Sequence, residues 1–579
     1  MEDTNKEVEE IKDEKSIIKT LFTERDNYQK ANETQRGEFN DIYNVYIGKM
    51  DNVKKVPYKT KESSSKLRTE IAYVVPSIFS GTPQVEIKGV GEEDKTISKI
   101  LEKIVNYRFE TIPQFYEKVE GWVKQSVTFG TSILKVNWKF ETEDKEEQDE
   151  MGQMVAYKVP VKDEPELDIP NILDCYYNPI LPDVYCQSSM IFRSVLPVEE
   201  VTNNPAYDFQ GVDGELNRTK VKEKGSQTAD IYNSSQQEKS DLIDSQKAGK
   251  GTVEIYERIT RDRIQTVCDG AEQLVLRDTE WDYGYINAVK LTHEPSCIPN
   301  RFEGWGVGQN TMGVGKLLYQ LDNQIIEGVK MSNNPMFLAK KGKGIDARQA
   351  VSKPGGIVFV DDDGEPIQNS IVALQFSDTK QGALELRNRL DDDHKRASGA
   401  NDLVQGSASN DTLGQDQIAS TYSSQRFELI QRRFKQALSD VADMIIKMEL
   451  KNLQSPESSI LRIFPEEMRQ DIYELLINEA QSLKYNVSIK GETNIAKNKD
   501  VQIKQFVDMY NLFGPILPPE NQMEWARKLL ELRGVDEIDK LVPDPQQFAQ
   551  QQMQQQAMEQ GAIDPNMMPQ GMGVQQPQM

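Results

Sequence analysis

SVTFGTSILKVNWKF, residues 126–140, changes from helical to strand periodicity at one glycine, and this stretch decides the class of the fold. Upstream, one helix face is marked by residues spaced four and three apart, at Phe115, Val119, Trp122 and Ser126. Gly130 is placed to end that helix, because glycine readily adopts the left-handed conformation that often follows a helix. Downstream, apolar residues alternate with polar ones, as in a half-buried strand, at Leu134, Val136, Trp138 and Phe140. A helix followed at once by such a strand predicts an α+β fold.

An acidic segment, ETEDKEEQDE (141–150), follows this strand and carries seven carboxylates. Beyond it, Val155, Tyr157 and Val159 alternate with other residues again, so the sequence predicts a β-hairpin with a long acidic tip. Such a tip is either a solvated loop, which is the simpler interpretation, or a site for a metal or a partner.

Helical periodicity continues on both sides of the hairpin. Residues 66–80 predict a buried helix that is interrupted by Pro76 and closed by Gly81. The longest pattern, about 415–453, predicts a helix of about 58 Å at 1.5 Å per residue. Further helices are expected within 1–60, 96–130, 309–334, 379–398, 466–484 and 494–542.

Short strands and polar segments fill the rest of the chain. Strands are expected within 168–200, from 252 to about 299, in the insert 336–377 and at 485–491. Residues 203–251 are rich in Asn, Gln, Ser, Lys and Gly, so they predict a mobile insertion.

Composition excludes several classes of protein. The net charge of −24, from 69 basic and 93 acidic residues, argues against a site-specific DNA-binding protein, which usually presents a basic surface. A content of 37% hydrophobic and 28% charged residues excludes a fully disordered chain and a membrane-embedded bundle. Four widely spaced cysteines predict a reducing compartment rather than a disulfide framework. Without a signal peptide or a long apolar run, a soluble protein made in a cytosol is expected.

Motifs that carry catalytic or cofactor chemistry are incomplete in this sequence. The nearest phosphate-binding loop, residues 310–317, fails at two of its four fixed positions. The two histidines are His293 and His394, and His394 follows three aspartates, so a solvated surface position is expected for it. The acidic residues 361–365 lack the glycine and the glutamate of a calcium loop. We therefore expect no catalytic residue, no metal site and no cofactor.

Five stretches carry a resemblance to a known family through their order along the chain. They are SVTFGTSILKVNW (126–138), LDIPNILDCYYNP (167–179), RFEGWGVGQNTMGVGKLLYQLDNQIIEGVKMSNNP (301–335), DTLGQDQIASTYSSQRFELIQRRFKQALSDVADMIIKM (411–448) and YNVSIKGETN (485–494). Over roughly residues 15–540, this order resembles the portal proteins of tailed bacteriophages, the head-to-tail connectors at the capsid vertex.

The resemblance implies a portal-type protomer with an α/β wing, a helical stem, a β-rich clip and a helical C-terminal crown region, assembled as a ring. The wing would comprise 1–304, with the mobile insertion at about 203–251, and would return with the long helix at 415–493. The other implied segments are a first stem helix at 305–335, the clip at 336–377, a second stem helix at 378–398, a tunnel loop at 399–414, the crown region at 494–543 and a disordered Gln/Met-rich tail at 544–579.

The implied function is that of a ring of about twelve subunits, not an enzyme, that forms the DNA channel for genome packaging, head–tail joining and genome ejection. Expected partners are further copies of the chain, double-stranded DNA, the terminase, the major capsid protein and a tail or neck adaptor, with no membrane involved. The protein would assemble in the host cytoplasm and reside in the virion.

Two groups of residues are candidate sites under this resemblance. The loop 399–414 offers neutral polar side chains to a channel, at Asn401, Gln405, Ser407, Ser409 and Asn410. The clip concentrates positive charge in an acidic protein, at Lys340, Lys341, Lys343, Arg348 and Lys353. These clip residues either contact DNA or an acidic motor partner, or simply keep a loop soluble.

Two alternatives stay open at this point. A terminase-like packaging enzyme would need a phosphate-binding loop, which the sequence lacks. A scaffold or minor capsid protein would usually be helical and poor in β structure, whereas this chain has at least six plausible strands.

Overall fold

The computed structural model describes residues 2–48, 62–79, 83–91, 94–148, 154–204, 252–270, 272–333, 380–398, 413–479 and 484–490, with short pieces at 206–207, 337–339, 366, 371–373 and between 506 and 530. The chain divides into two compact units, Met1–Lys490 and Gly491–Met579. In the second unit, the Phe506 and Trp525 rings lie 4.3 Å apart. All elements named below belong to the first unit.

Helices and strands are interspersed along the first unit. The helices are α1 (Glu2–Ala31), α2 (Glu33–Ile47), α3 (Glu62–Ile78), α4 (Asp94–Thr111), α5 (Phe115–Phe129), α6 (Val198–Asn203), α7 (Val307–Asn333), α8 (Lys380–Ser398), α9 (Leu413–Asn452) and α10 (Glu466–Glu479).

The strands form four antiparallel sheets within the described residues. The largest has five strands in chain order, β4 (Cys175–Tyr176), β5 (Ser189–Pro197), β6 (Thr252–Thr260), β7 (Arg263–Asp269) and β8 (Gln273–Glu280). A three-stranded sheet has β2 (Thr131–Gln148) between β3 (Met154–Asp168) and β9 (Ala288–Thr292). The two-stranded sheets are β1 (Gln84–Gly89) with β12 (Tyr485–Lys490), and β10 (Phe337–Ala339) with β11 (Ile371–Ala373).

One apolar core joins distant parts of the sequence. Side chains of α3, α4, α5 and β1 pack with those of α9 and α10, and Trp122 of α5 is fully buried among them. Phe434 of α9 contacts this centre, with its ring 6.2 Å from Trp122 and 5.5 Å from Phe79. A second cluster of buried side chains connects α2 and β2 to the five-stranded sheet. The mixed architecture confirms the prediction of an α+β fold.

The β2–β3 hairpin is confirmed, but the position of its acidic segment was predicted wrongly. The ladder runs from Lys135 opposite Asp168 to Gln148 opposite Met154, with a bulge between Glu141 and Thr142. Residues 141–148 therefore belong to β2, because a paired strand satisfies its backbone whatever charge its side chains carry.

Pro76 does not interrupt its helix, contrary to the prediction. α3 continues to Ile78, and the Phe79 amide still donates to the Val75 carbonyl at 3.0 Å. A proline near the end of a helix removes one amide donor, and here the turn after it remains hydrogen-bonded. Gly81, most of the insertion at 203–251 and the Gln/Met-rich tail lie outside the described residues.

Four glycines bring three elements into backbone contact where α5, β2 and α7 meet: Gly130, Gly304, Gly306 and Gly308. Gly130 ends α5 with φ +86°, a conformation that favours glycine. Its carbonyl accepts from the His293 amide at 3.0 Å, and the Thr131 hydroxyl accepts from the Gly304 amide at 2.8 Å. A Cβ atom at Gly306 would lie 2.5 Å from the Gly130 nitrogen. The entry to α7 is thus held against the end of α5 without room for a methyl group.

Within the described residues, no helix combines the length and the apolar character that crossing a membrane requires.

We expect Gly308→Ala to lower the free energy of unfolding by about 1–3 kcal/mol, the usual cost of overpacking a core. A Cβ atom at Gly308 would lie 2.5 Å from the Cγ2 atom of buried Ile42 and would also meet the Thr128 carbonyl. The matched control is Gly313→Ala in the same helix, where no atom lies within 4 Å of the added methyl group. Since alanine favours helix over glycine, the control should gain about 0.5–1 kcal/mol. Thermal unfolding of both variants measures the difference, and equal shifts of the two would contradict this account.

Candidate functional site

Both groups of candidate residues from the sequence lie outside the described residues. This holds for Asn401, Gln405, Ser407, Ser409 and Asn410, and also for Lys340, Lys341, Lys343, Arg348 and Lys353. Their placement stays a prediction. The structure describes instead the elements at both ends of each segment.

The insert that contains the five basic residues begins and ends at paired strands. Phe337 lies opposite Ala373 and Ala339 lies opposite Ile371, so β10 and β11 close the base of the insert. The chain enters the insert from α7 and leaves it into α8. These two helices contact each other, and the Arg387 Nε atom donates to the Asp322 Oδ1 atom at 2.7 Å.

The loop with the neutral polar residues lies between α8, which ends at Ser398, and α9, which begins at Leu413. Of the predicted loop 399–414, Leu413 and Gly414 belong to α9, and residues 399–412 lie outside the described residues. α9 has 40 residues, about 60 Å at 1.5 Å per residue, which confirms the longest helix of the prediction.

Charged contacts join α8 to α3. Lys66 Nζ pairs with Asp391 Oδ1, and the His394 Nδ1 atom lies 2.7 Å from the Glu70 Oε1 atom. His394 is 1% exposed, so the prediction of a solvated surface position was wrong. Glu70, the buried residue that contacts His394, lies 324 residues away in sequence, and no local sequence pattern predicts such a contact.

α9 is held by the apolar core and by one buried ion pair with α4. The Arg108 Nε atom donates to the Glu449 Oε1 atom at 2.5 Å, and its Nη2 atom donates to Oε2 at 3.3 Å. Burial raises the pKa of Glu449 to about 7, although the Arg108 guanidinium acts in the opposite direction. The neighbouring carboxylates of Asp163 and Glu164 raise this pKa further.

The contacts described above for α7, α8 and α9 are structural ones, namely ion pairs, hydrogen bonds and apolar packing. Among the described residues, no three His, Cys, Asp or Glu side chains converge as a metal site. All four cysteines are free, with Cys175 and Cys268 buried. Burial raises the pKa of both buried thiols, which disfavours the reactive thiolate.

Sequence reasoning also missed β1, which pairs with β12 from Gln84 opposite Lys490 to Gly89 opposite Tyr485. On its other edge, the Asn106 side chain of α4 accepts from the Val85 amide at 2.8 Å and donates to the Val85 carbonyl at 3.0 Å. The alternation in QVEIKG (84–89) was the available signal, but its partner strand lies some four hundred residues later.

Comparison with known proteins gives one family. A family model described as phage SU10 portal protein matches residues 16–169 and 217–570, which is most of the chain. No curated protein matches the chain.

We expect the stability of the protein relative to a Glu449→Gln variant to rise as the pH falls from about 7.5 to about 5. The folded pKa of about 7 exceeds the ordinary glutamate value of about 4.3, so folding takes up a proton between these values. The contribution of Glu449 is therefore fully present below about pH 4 and is lost as the pH rises through 7, over a full range of about 3–4 kcal/mol.

Apparent unfolding temperatures of both proteins at the two pH values measure this dependence. Glu428→Gln, at an exposed carboxylate of the same helix, controls for the loss of a charge from α9. A difference between the protein and Glu449→Gln that stays constant with pH would contradict the raised pKa.

Proposed function

The chain belongs to the phage SU10 portal protein family, and from this premise we propose that it assembles as a closed ring of about twelve copies around a DNA channel at the capsid vertex. It is a portal protein of a bacteriophage, a virion component of the head-to-tail connector. The observation that carries the proposal is the family match on both sides of residues 170–216.

Exposed apolar side chains on the described helices support assembly with further copies. Leu317 of α7, Leu384 and Leu386 of α8 and Leu429 of α9 are each about half exposed in the single chain. A partner would cover these side chains if they belong to one contiguous apolar patch, which is the kind of surface that marks an interaction site. A closed ring uses two different surfaces of each subunit, repeated head to tail.

We assign the segments of the chain accordingly. The wing comprises 1–304 and returns at 415–493, α7 and α8 form the stem, and the insert 336–377 forms the clip. The paired strands β10 and β11 support this last assignment, since they pair residues near the two ends of the insert with each other. The crown region at 494–543 and the tail at 544–579 complete the proposed protomer.

The loop between α8 and α9 is our candidate for the channel wall. Neutral polar groups touch phosphate without holding it, because a single neutral hydrogen bond nets only about 0.5–1.5 kcal/mol against water. The net charge of −24 also suits a DNA conduit, because a strongly basic channel wall would retain the polyanion. The five basic residues of the clip would instead contact DNA or an acidic motor partner at the exit.

The proposed role covers packaging, head–tail joining and ejection. Partners would be the terminase during packaging, the major capsid protein around the vertex and an adaptor of the tail or neck. Assembly would take place in the host cytoplasm. A structural rather than enzymatic role is the general character of this family.

We expect purified protein to form uniform rings with a central hole in negative-stain electron micrographs. A monodisperse monomer or dimer under all assembly conditions would contradict the proposed ring. ATP hydrolysis by the purified chain alone would favour a packaging enzyme instead.

We expect lysines at Asn401, Gln405 and Ser407 to slow or stall DNA movement, because every subunit of the ring would add phosphate attraction to the channel. A matched control places lysines at Gln454, Ser455 and Ser459, which are also neutral polar residues and lie exposed after α9. Rates of packaging into heads and of ejection from them measure the effect. If loop variants form rings and move DNA at the rate of the control, the loop does not line the channel.

A further inference from the structure

Helix α8 is attached to the rest of the unit by a polar face. Arg387, Asp391 and His394 stand at positions i, i+4 and i+7, so they share one side of the helix. Arg387 pairs with Asp322 of α7 at 2.7 Å, and Asp391 pairs with Lys66 of α3. His394 lies 2.7 Å from Glu70 of α3. No described residue of α8 belongs to the clusters of buried apolar side chains.

Helix α9, at the other end of the loop 399–412, is attached in the opposite way. Ten of its residues between Ile430 and Met448 are buried apolar side chains of the main core. Releasing α9 would expose all of this area to water, whereas releasing α8 would mainly exchange polar contacts for hydration. α9 is therefore held in place by a large buried apolar area, whereas α8 is held by a few specific polar contacts.

The Glu70–His394 contact is the most buried of these. Glu70 is 3% exposed, and its Oε2 atom has no hydrogen-bond partner among the described residues. An apolar pair of similar volume would serve stability as well or better, since buried charged pairs often contribute little net stability. A polar pair instead specifies how the helix is placed, because its hydrogen bond forms only at one rotation and one axial position of the helix.

The position of His394 along α8 affects the loop directly. His394 stands one turn before Ser398, where α8 ends and the loop begins. A slip of one residue along α8 would rotate the direction in which the chain leaves the helix by about 100°. Fixing His394 against α3 therefore fixes the direction in which the loop departs.

We propose that Glu70 and His394 are positioning residues for the C-terminal end of α8, at Ser398, and that their contact sets the register of α8 on α3. The consequence for DNA movement rests on the proposed function, whereas the positioning itself does not. No charge change of either residue is invoked.

Hydrogen–deuterium exchange on the full-length protein tests the inference. In a Glu70→Leu/His394→Leu variant, which keeps the site filled, we expect exchange of the amides at 395–398 to accelerate by about tenfold, the factor for losing one buried hydrogen bond. The apparent unfolding temperature should stay near that of the unmodified protein or rise. Glu70→Gln, whose amide can pair with either tautomer of His394, should retain the original protection.

The matched control is Asp41→Leu/Lys316→Leu, which removes an ion pair of 2.8 Å between α2 and α7 and leaves α8 untouched. Its amides at 395–398 should exchange as in the unmodified protein. Unchanged exchange in the Glu70→Leu/His394→Leu variant, or equal acceleration in the control, would overturn the inference.

DNA packaging by the same variants separates the inference from the proposed function. Accelerated exchange together with reduced packaging supports both. Accelerated exchange with normal packaging supports the positioning role and contradicts the proposal that the loop handles DNA.

Discussion

At the junction of α5, β2 and α7 three backbones touch, because the residues that meet there are glycines. A Cβ atom at Gly304 would lie 2.5 Å from the Glu294 carbonyl oxygen, and one at Gly306 would lie 2.7 Å from the Val127 carbonyl oxygen. The N-terminal part of the unit, with α5 and β2, is thereby fixed to the helix that leads toward the insert. α7 in turn contacts α8 through the Asp322–Arg387 ion pair.

Beyond the junction, the unit uses two kinds of attachment. α9 is buried in the main core and also pairs Glu449 with Arg108, so its position is enforced by apolar area. α8 is attached by charged and hydrogen-bonded contacts along one face, so its position depends on the directional geometry of these contacts. The two helices that flank residues 399–412 are therefore held in different ways.

The matched family is generally structural rather than enzymatic. The sequence lacks a complete nucleotide or metal motif, and burial in the described residues keeps both buried cysteines in the thiol form. Under the proposed function, the acidic net charge of the chain suits a polyanion that moves past it, whereas a strongly basic surface would bind it. The incomplete motifs are consistent with the match to a portal family, since this family is generally structural.

The sequence by itself determined the local elements, because periodicity is a local property of the chain. It predicted the helix that ends at Gly130, the strand after it, the hairpin and the long helix α9. Tertiary structure alone decided what depends on distant partners. The strand character of residues 141–148 rests on pairing with β3, β1 rests on β12, and the burial of His394 rests on Glu70 of another helix. A single sequence carries no spacing rule for such contacts, since the two partners lie far apart along the chain and meet only in the folded structure.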